Sequence, residues 1–326
     1  MVGFLDEIIS KIYDLLQKIP SIRQTKFWGD LVQEEILKEI LTIVVVDYNE
    51  HTKFLDKLPE NYQKDRCYFV LVATQTNYEL LGSHNSPSDS YPKKHTVPYN
   101  EDILKLRNLG KLTLICADNH KKKHGVTVAI IIEMLRLLSW GKEMYVMSRR
   151  KEIKTARYLL KELFGIEIQA SHDPNLRHEP TTNTTNNFTC YQKLDVTLDP
   201  LKCTFIDMDN IKLNQSEMNR MESNNLVINC KNPPQSSRRS NRTPVPLSNS
   251  VQPDHLTNYF EIEVPVVDDC ADIIIIWVMA ILHSSLPITV PFIIRSKDNI
   301  FKAAKQYLLK DESKRNILLP DILETM

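Results

Sequence analysis

The sequence predicts an α/β fold made of two Rossmann-like, three-layer units with mostly parallel sheets, preceded by a helical segment. Three observations predict it. Continuous β-branched apolar runs such as LTIVVVDYN and CYFVLVAT have the composition of parallel strands buried on both faces. These runs alternate with helical segments, as in sheets covered by helices on both sides. The order of elements in the first half of the chain then recurs in the second.

Residues 1–40 read as helices, with Leu31, Ile36, Ile40 and Leu41 near helical spacing. The first unit, 41–170, opens with the strand ending at Asp47, then CYFVLVAT, then a polar loop. KLTLICAD follows, then a helix over about 126–138, the strand EMYVMS and a helix closed by Gly165. IEIQA is the fifth expected strand. Residues 171–200, rich in Thr and Asn, read as a linker. The second unit, 201–326, repeats the plan: KCTFIDMDNI, NNLVINC, a long insertion, FEIEVPVV, an apolar helix, TVPFIIRS, a helix and NILLP. The insertion near 231–257 is rich in Pro, Ser and Arg and is expected to be disordered. Three pairs of segments align: VVVDYNE with TFIDMDNI, VTVAIIIEMLRLL with ADIIIIWVMAILH, and YVMSRRKEIKTARYLL with FIIRSKDNIFKAAKQYLL. Internal duplication with divergence accounts for them most simply.

The bulk numbers narrow the functional class. Lys plus Arg and Asp plus Glu both number 41, so no global charge pulls the chain toward nucleic acid, and any such binding must be local. The six cysteines lack metal-ligand spacing and read as reduced thiols of an intracellular protein. The amphipathic N-terminus, MVGFLDEIISKIYDLLQKI, is interrupted by charge and does not read as a secretory signal. It reads instead as a docking helix, suited to a protein partner or to self-association. The longest apolar run, 273–282, is too short to span a bilayer. These features place the chain in the cytoplasm, with the nucleus also compatible. Seven glycines and no glycine-rich loop argue against a nucleotide-binding site, and no serine nucleophile elbow is present.

Ligands of open parallel sheets collect at the carboxyl ends of strands. In the second unit Asp207 ends the first strand, with Asp209 and Asn210 after it. Asp268, Asp269 and Asp272 lie between the third strand and the apolar helix, and Asp298 follows the fourth strand after Ser296. Carboxylates gathered from separate strand ends repel one another unless a cation neutralises them, and oxygen-only donors select Mg²⁺ or Mn²⁺. The bland alternative stands beside this: turns favour Asp at strand ends, and Asp272 suits the start of a helix.

In this order FIDMDNI, DDCADIII and IIRSKDNIFKAAKQYL resemble the PIN-like superfamily, and most of all its NYN branch. The resemblance covers roughly 201–325 and, more weakly, 41–170. It implies a Mg²⁺- or Mn²⁺-dependent endoribonuclease that hydrolyses phosphodiesters. Asp207, Asp272 and Asp298 would be the catalytic metal ligands, Asp268 and Asp269 reserve ligands, and Asn210 and Ser296 orienting residues. Two departures are plain. The insertion separates pieces that are usually closer, and Asn299 and Ile300 stand where the family often has a further acid.

The first unit departs further. It keeps Asp47 and Asn49, but Thr127 stands where Asp272 stands and Arg150 where Asp298 stands. It reads as a degenerate, inactive copy. Lys121, Lys122, Lys123, Arg149, Arg150 and Lys151 there, and Arg238 and Arg239 in the insertion, are candidates to contact RNA phosphates or to form a solvated basic face. His120 and His124 lack zinc-ligand neighbours and belong to that basic loop. Trp277 reads as core. The competing functional expectation is a catalytically inactive scaffold that binds RNA or protein.

Overall fold

The computed structural model describes residues 38–60, 62–82, 101–117, 124–138, 142–170, 202–208, 225–231, 259–263, 269–309 and 315–319, with positions 211, 216, 219 and 221. Most of the expected N-terminal helices, the linker and nearly all of the insertion lie outside these residues. Lys231, at the insertion's expected start, belongs to a strand.

The first unit contains β1 (Thr42–Asp47), β2 (Cys67–Ala73), α1 (Gln75–Gly82), α2 (Glu101–Asn108), β3 (Leu112–Cys116), α3 (Gly125–Leu138), β4 (Glu143–Met147), α4 (Lys151–Phe164) and β5 (Gln169–Ala170). The second contains β6 (Lys202–Asp207), β7 (Asn225–Lys231), β8 (Tyr259–Glu263), α5 (Cys270–Ser285), β9 (Phe292–Arg295), α6 (Ile300–Leu308) and β10 (Ile317–Leu318). Each unit forms a five-stranded sheet, β3-β2-β1-β4-β5 and β8-β7-β6-β9-β10, with every pairing parallel. The chain is thus two Rossmann-like α/β units of one topology.

The likeness of the halves extends to register. Asp47 is paired with Val72 and Asp207 with Cys230, while Val46 is paired with Met147 and Ile206 with Arg295. The chain leaves the first strand of each unit by the same bond: Tyr48 N–H donates to Val72 O at 2.9 Å, and Met208 N–H to Cys230 O at 3.0 Å.

The units share one core. Inward residues of both sheets and the helices α3, α4, α5 and α6 belong to a single apolar cluster. The four helices form a layer between the sheets: α3 packs on α6, α4 on α5, and α3 on α5. This arrangement is pseudo-two-fold, with each helix meeting its own counterpart or a counterpart's neighbour. It explains why α5 is apolar all round: it faces its own sheet on one side and the other unit's helices on the other. Trp277, 3% exposed, is core as expected, and its Nε1–H donates to Ile131 O of α3 at 3.0 Å. The outer face of the first sheet carries a second apolar cluster under α1 and α2, with Phe54, Phe69 and Tyr145. Gly165, at φ 65°, ends α4 in the left-handed conformation, where a Cβ would be penalised.

One charged group is buried at the junction. Glu133 of α3, 5% exposed, accepts a hydrogen bond from Tyr307 Oη of α6 at 2.7 Å and pairs with Arg136 one turn along. Truncating one member of such a buried network strands its partners. Glu133→Ala is expected to destabilise the chain by ~3 kcal/mol, and Tyr307→Phe by ~1 kcal/mol. Urea unfolding monitored by tryptophan fluorescence measures both. A loss below half these values for each would show that the junction does not depend on this network.

At the far end of α5, burial lowers the His283 imidazole to about 4, helped by the Arg315 guanidinium. The unfolded value is higher, about 6.5, so the unfolded chain binds the extra proton first. The contribution is therefore full above pH 6.5 and is lost as pH falls toward 4, by up to ~3 kcal/mol. Unfolding midpoints measured between pH 7.5 and 4.5 should fall less for His283→Leu than for the parent. Parallel slopes would remove His283 from the acid response.

No helix among the described residues is long and apolar enough to cross a membrane. The described cysteines are all free thiols.

Candidate metal centre at the strand ends

In both sheets the first strand lies between two neighbours reached by crossovers in opposite directions. The crevice of such a sheet opens at the carboxyl ends of these strands, here β1 and β4 in one unit and β6 and β9 in the other. Asp47 and Asp207 sit at the ends of β1 and β6, 0% and 1% exposed. β4 and β9 each run into a Ser-x-x turn of the same construction. Ser148 Oγ accepts from Arg150 N–H at 3.2 Å, and Ser296 Oγ from Asp298 N–H at 3.0 Å.

In the first unit this turn aims Arg150 into the crevice. Its Nε–H donates to Asp47 Oδ2 at 2.6 Å, and its Nη1 to Thr127 Oγ1 of α3 at 3.4 Å. Asn49 N–H donates to Asp47 Oδ1 at 3.2 Å. Burial nonetheless pushes the Asp47 carboxyl above its ordinary value, against the lowering effect of the guanidinium and its hydrogen bond. Two positions, Asp47 and Thr127, thus meet the cation carried by a third, Arg150. Asn49 is spent on positioning: its Oδ1 accepts from the Thr74 hydroxyl at 3.0 Å and from Asn77 Nδ2 at 2.6 Å.

In the second unit the same three positions are Asp207, Asp272 and Asp298. Ser296 Oγ–H donates to Asp207 Oδ2 at 2.6 Å, tying the end of β6 to the end of β9. Asp298 Oδ1 accepts from Ile300 N–H at 3.1 Å at the start of α6. Asp272 lies in the first turn of α5, 7% exposed. Asp269 precedes that helix at φ 66°, the one non-glycine with positive φ among the described residues, a conformation costing ~1 kcal/mol or more. Its carboxylate lies 3.8 Å from Lys151 Nζ of the first unit.

Asp207, Asp272 and Asp298 are all described, but they are not gathered into one donor set. Among the described residues no group of three or more His, Cys, Asp or Glu is gathered as a metal cage. Asp209, Asn210 and Asp268 lie outside the described residues, as do Asp118, His120, Lys121, Lys122, Lys123, Arg238 and Arg239. Of the basic residues expected to face phosphate, Arg149 and Lys151 are exposed, whereas Arg150 turns inward onto Asp47. His124 Nδ1 lies 3.8 Å from a Glu152 carboxylate oxygen. The Ser296–Asp298 turn was legible because Ser-x-Asp is a local motif. The contact of Thr127 with Arg150 was not, because it joins elements 23 residues apart.

No protein-family model matches the chain, and neither a curated protein nor a solved structure matches it.

Proposed function

We propose that the chain is a metal-dependent endoribonuclease of PIN-like, NYN type, with its site at the ends of β6 and β9. The observation that carries this reading is the Arg150 guanidinium. In the first unit the positions of Asp207 and Asp272 meet a fixed positive charge, supplied by the chain itself at the position of Asp298. In the second unit all three are carboxylates, so the same crevice calls for an external cation. Asp207, Asp272 and Asp298 hold Mg²⁺ or Mn²⁺, with Asp268 and Asp269 beside them. The bound ion supplies an activated water and neutralises charge developing on the phosphate. Ser296 fixes the orientation of Asp207, and Asn210 orients the substrate.

A second reading, an inactive scaffold for RNA or a protein, has its own support. Among the described residues the acids do not form a ready cage, and Asp207 and Asp298 each hold a hydrogen bond within the chain. The deciding experiment incubates the full chain with labelled single-stranded RNA in Mg²⁺, Mn²⁺ or EDTA, beside a DNA control. Internal cleavage of RNA that requires the metal is expected. Intact RNA across several sequences with both metals would transfer the proposal to the scaffold.

A further inference from the structure

Divergence between the two units is uneven. The crevice positions differ, Asp272 and Asp298 against Thr127 and Arg150, and Lys151 stands where Asn299 stands, but two exposed cations beside them recur. Arg149 stands where Lys297 stands, and Lys154 where Lys302 stands; all four are exposed. Arg149 and Lys297 occupy the middle of the two Ser-x-x turns, held by equivalent hydrogen bonds. Lys154 and Lys302 follow in the first turn of α4 and α6.

A basic face is ordinarily just solvated, and two facts argue for more here. The chain as a whole is neutral, so paired exposed cations at both strand ends do not reflect a generally basic surface. The two rims are also neighbours. The start of α4 meets the start of α5 where Lys151 approaches Asp269, so the first unit's rim lies beside the second unit's crevice. The acids nearest the first rim are engaged: Glu50 accepts from Arg149 N–H at 2.7 Å, and Glu152 lies 3.8 Å from His124.

We infer that the first unit is one half of a bipartite surface for single-stranded RNA. Phosphates bind Arg149 and Lys154 on one side and Lys297 and Lys302 on the other, with the strand crossing the Lys151–Asp269 seam. The class of ligand rests on the nuclease reading, but the binding itself needs no metal and no turnover.

The test is fluorescence anisotropy of a labelled oligouridylate with the full chain in EDTA, titrated across salt. Arg149→Ala/Lys154→Ala and Lys297→Ala/Lys302→Ala are compared with the parent after circular dichroism confirms their fold. Each pair should weaken binding roughly tenfold and lower the slope of log affinity against log salt by about 1.4, two lost contacts on a single strand. Parent-like affinity and slope for Arg149→Ala/Lys154→Ala would overturn the bipartite surface, as would a parent that binds no RNA. Binding without cleavage of several RNA sequences in both Mg²⁺ and Mn²⁺ would end the catalytic reading and leave this one standing.

Discussion

Changing Asp207 and Asp298 together to Asn is expected to abolish metal-dependent RNA cleavage while leaving the fold intact and, in EDTA, slightly more stable. The two effects have one cause. The Ser296 hydroxyl accepts from the Asp298 backbone N–H and donates to the Asp207 carboxylate, so one side chain ties the two positions together. In the proposed site the two acids would repel one another without a cation, and an amide of nearly the same shape would relieve that repulsion, by ~1 kcal/mol. With the ion, the amides remove the negative donors that hold it. Disturbing groups behind a metal's ligands costs roughly 10–100-fold, so losing two ligands should cost roughly 10³-fold or more in cleavage rate. Initial rates in Mn²⁺ and thermal unfolding in EDTA measure the two effects. A variant as active as the parent would move the chemistry away from these acids.

Arg315→Ala is expected to be the most destabilising single change, at ~4 kcal/mol. Arg315 is 4% exposed, just before β10. Its Nη1 donates to Val290 O at 2.7 Å and Pro287 O at 2.9 Å, and its Nη2 to Leu286 O at 2.7 Å and His283 O at 3.1 Å. The carbonyls that end a helix lack partners within it, and one guanidinium here serves the end of α5 and the turn leading to β9. It also lies over the Phe292 ring, 4.6 Å from its centroid. Alanine leaves four carbonyls without this donor, and the bonds lost at Val290 O and Leu286 O are buried. Arg315→Lys should recover little, since an ammonium has no planar fork to reach two pairs of acceptors. Urea midpoints at constant m-value give the loss. Recovery by lysine to near the parent would show that charge alone, and not the fork, secures this end.

The fold was legible where local rules decide it. Strands β1, β2, β4, β6 and β7 were apparent from β-branched runs, because a strand covered on both faces must be apolar throughout. Gly165 marked the end of α4 because the left-handed position favours glycine. The shared plan of the two units was visible because strand, helix and strand recur in one order. The outer layer of the first sheet was less legible: α1 and α2 are short, and their sequences carry little periodicity. Glu133 and Arg136 interrupt an apolar helix, and the sequence alone assigned them no role. Nothing local announced Tyr307, 174 residues away, as the third member.

The candidate site divides along the same line. Sequence alone determined which residues stand at strand ends, and so which acids and cations are available to a crevice, because a strand's end is set by its own composition. Tertiary structure decided what meets there. It brought Arg150 onto Asp47 and Thr127, tied Asp207 to Ser296, and set Lys151 of one unit beside Asp269 of the other. Those contacts depend on parallel register and on the packing of four helices between two sheets. Their geometry arises from burial of apolar surface across the whole chain, which no short stretch of residues encodes.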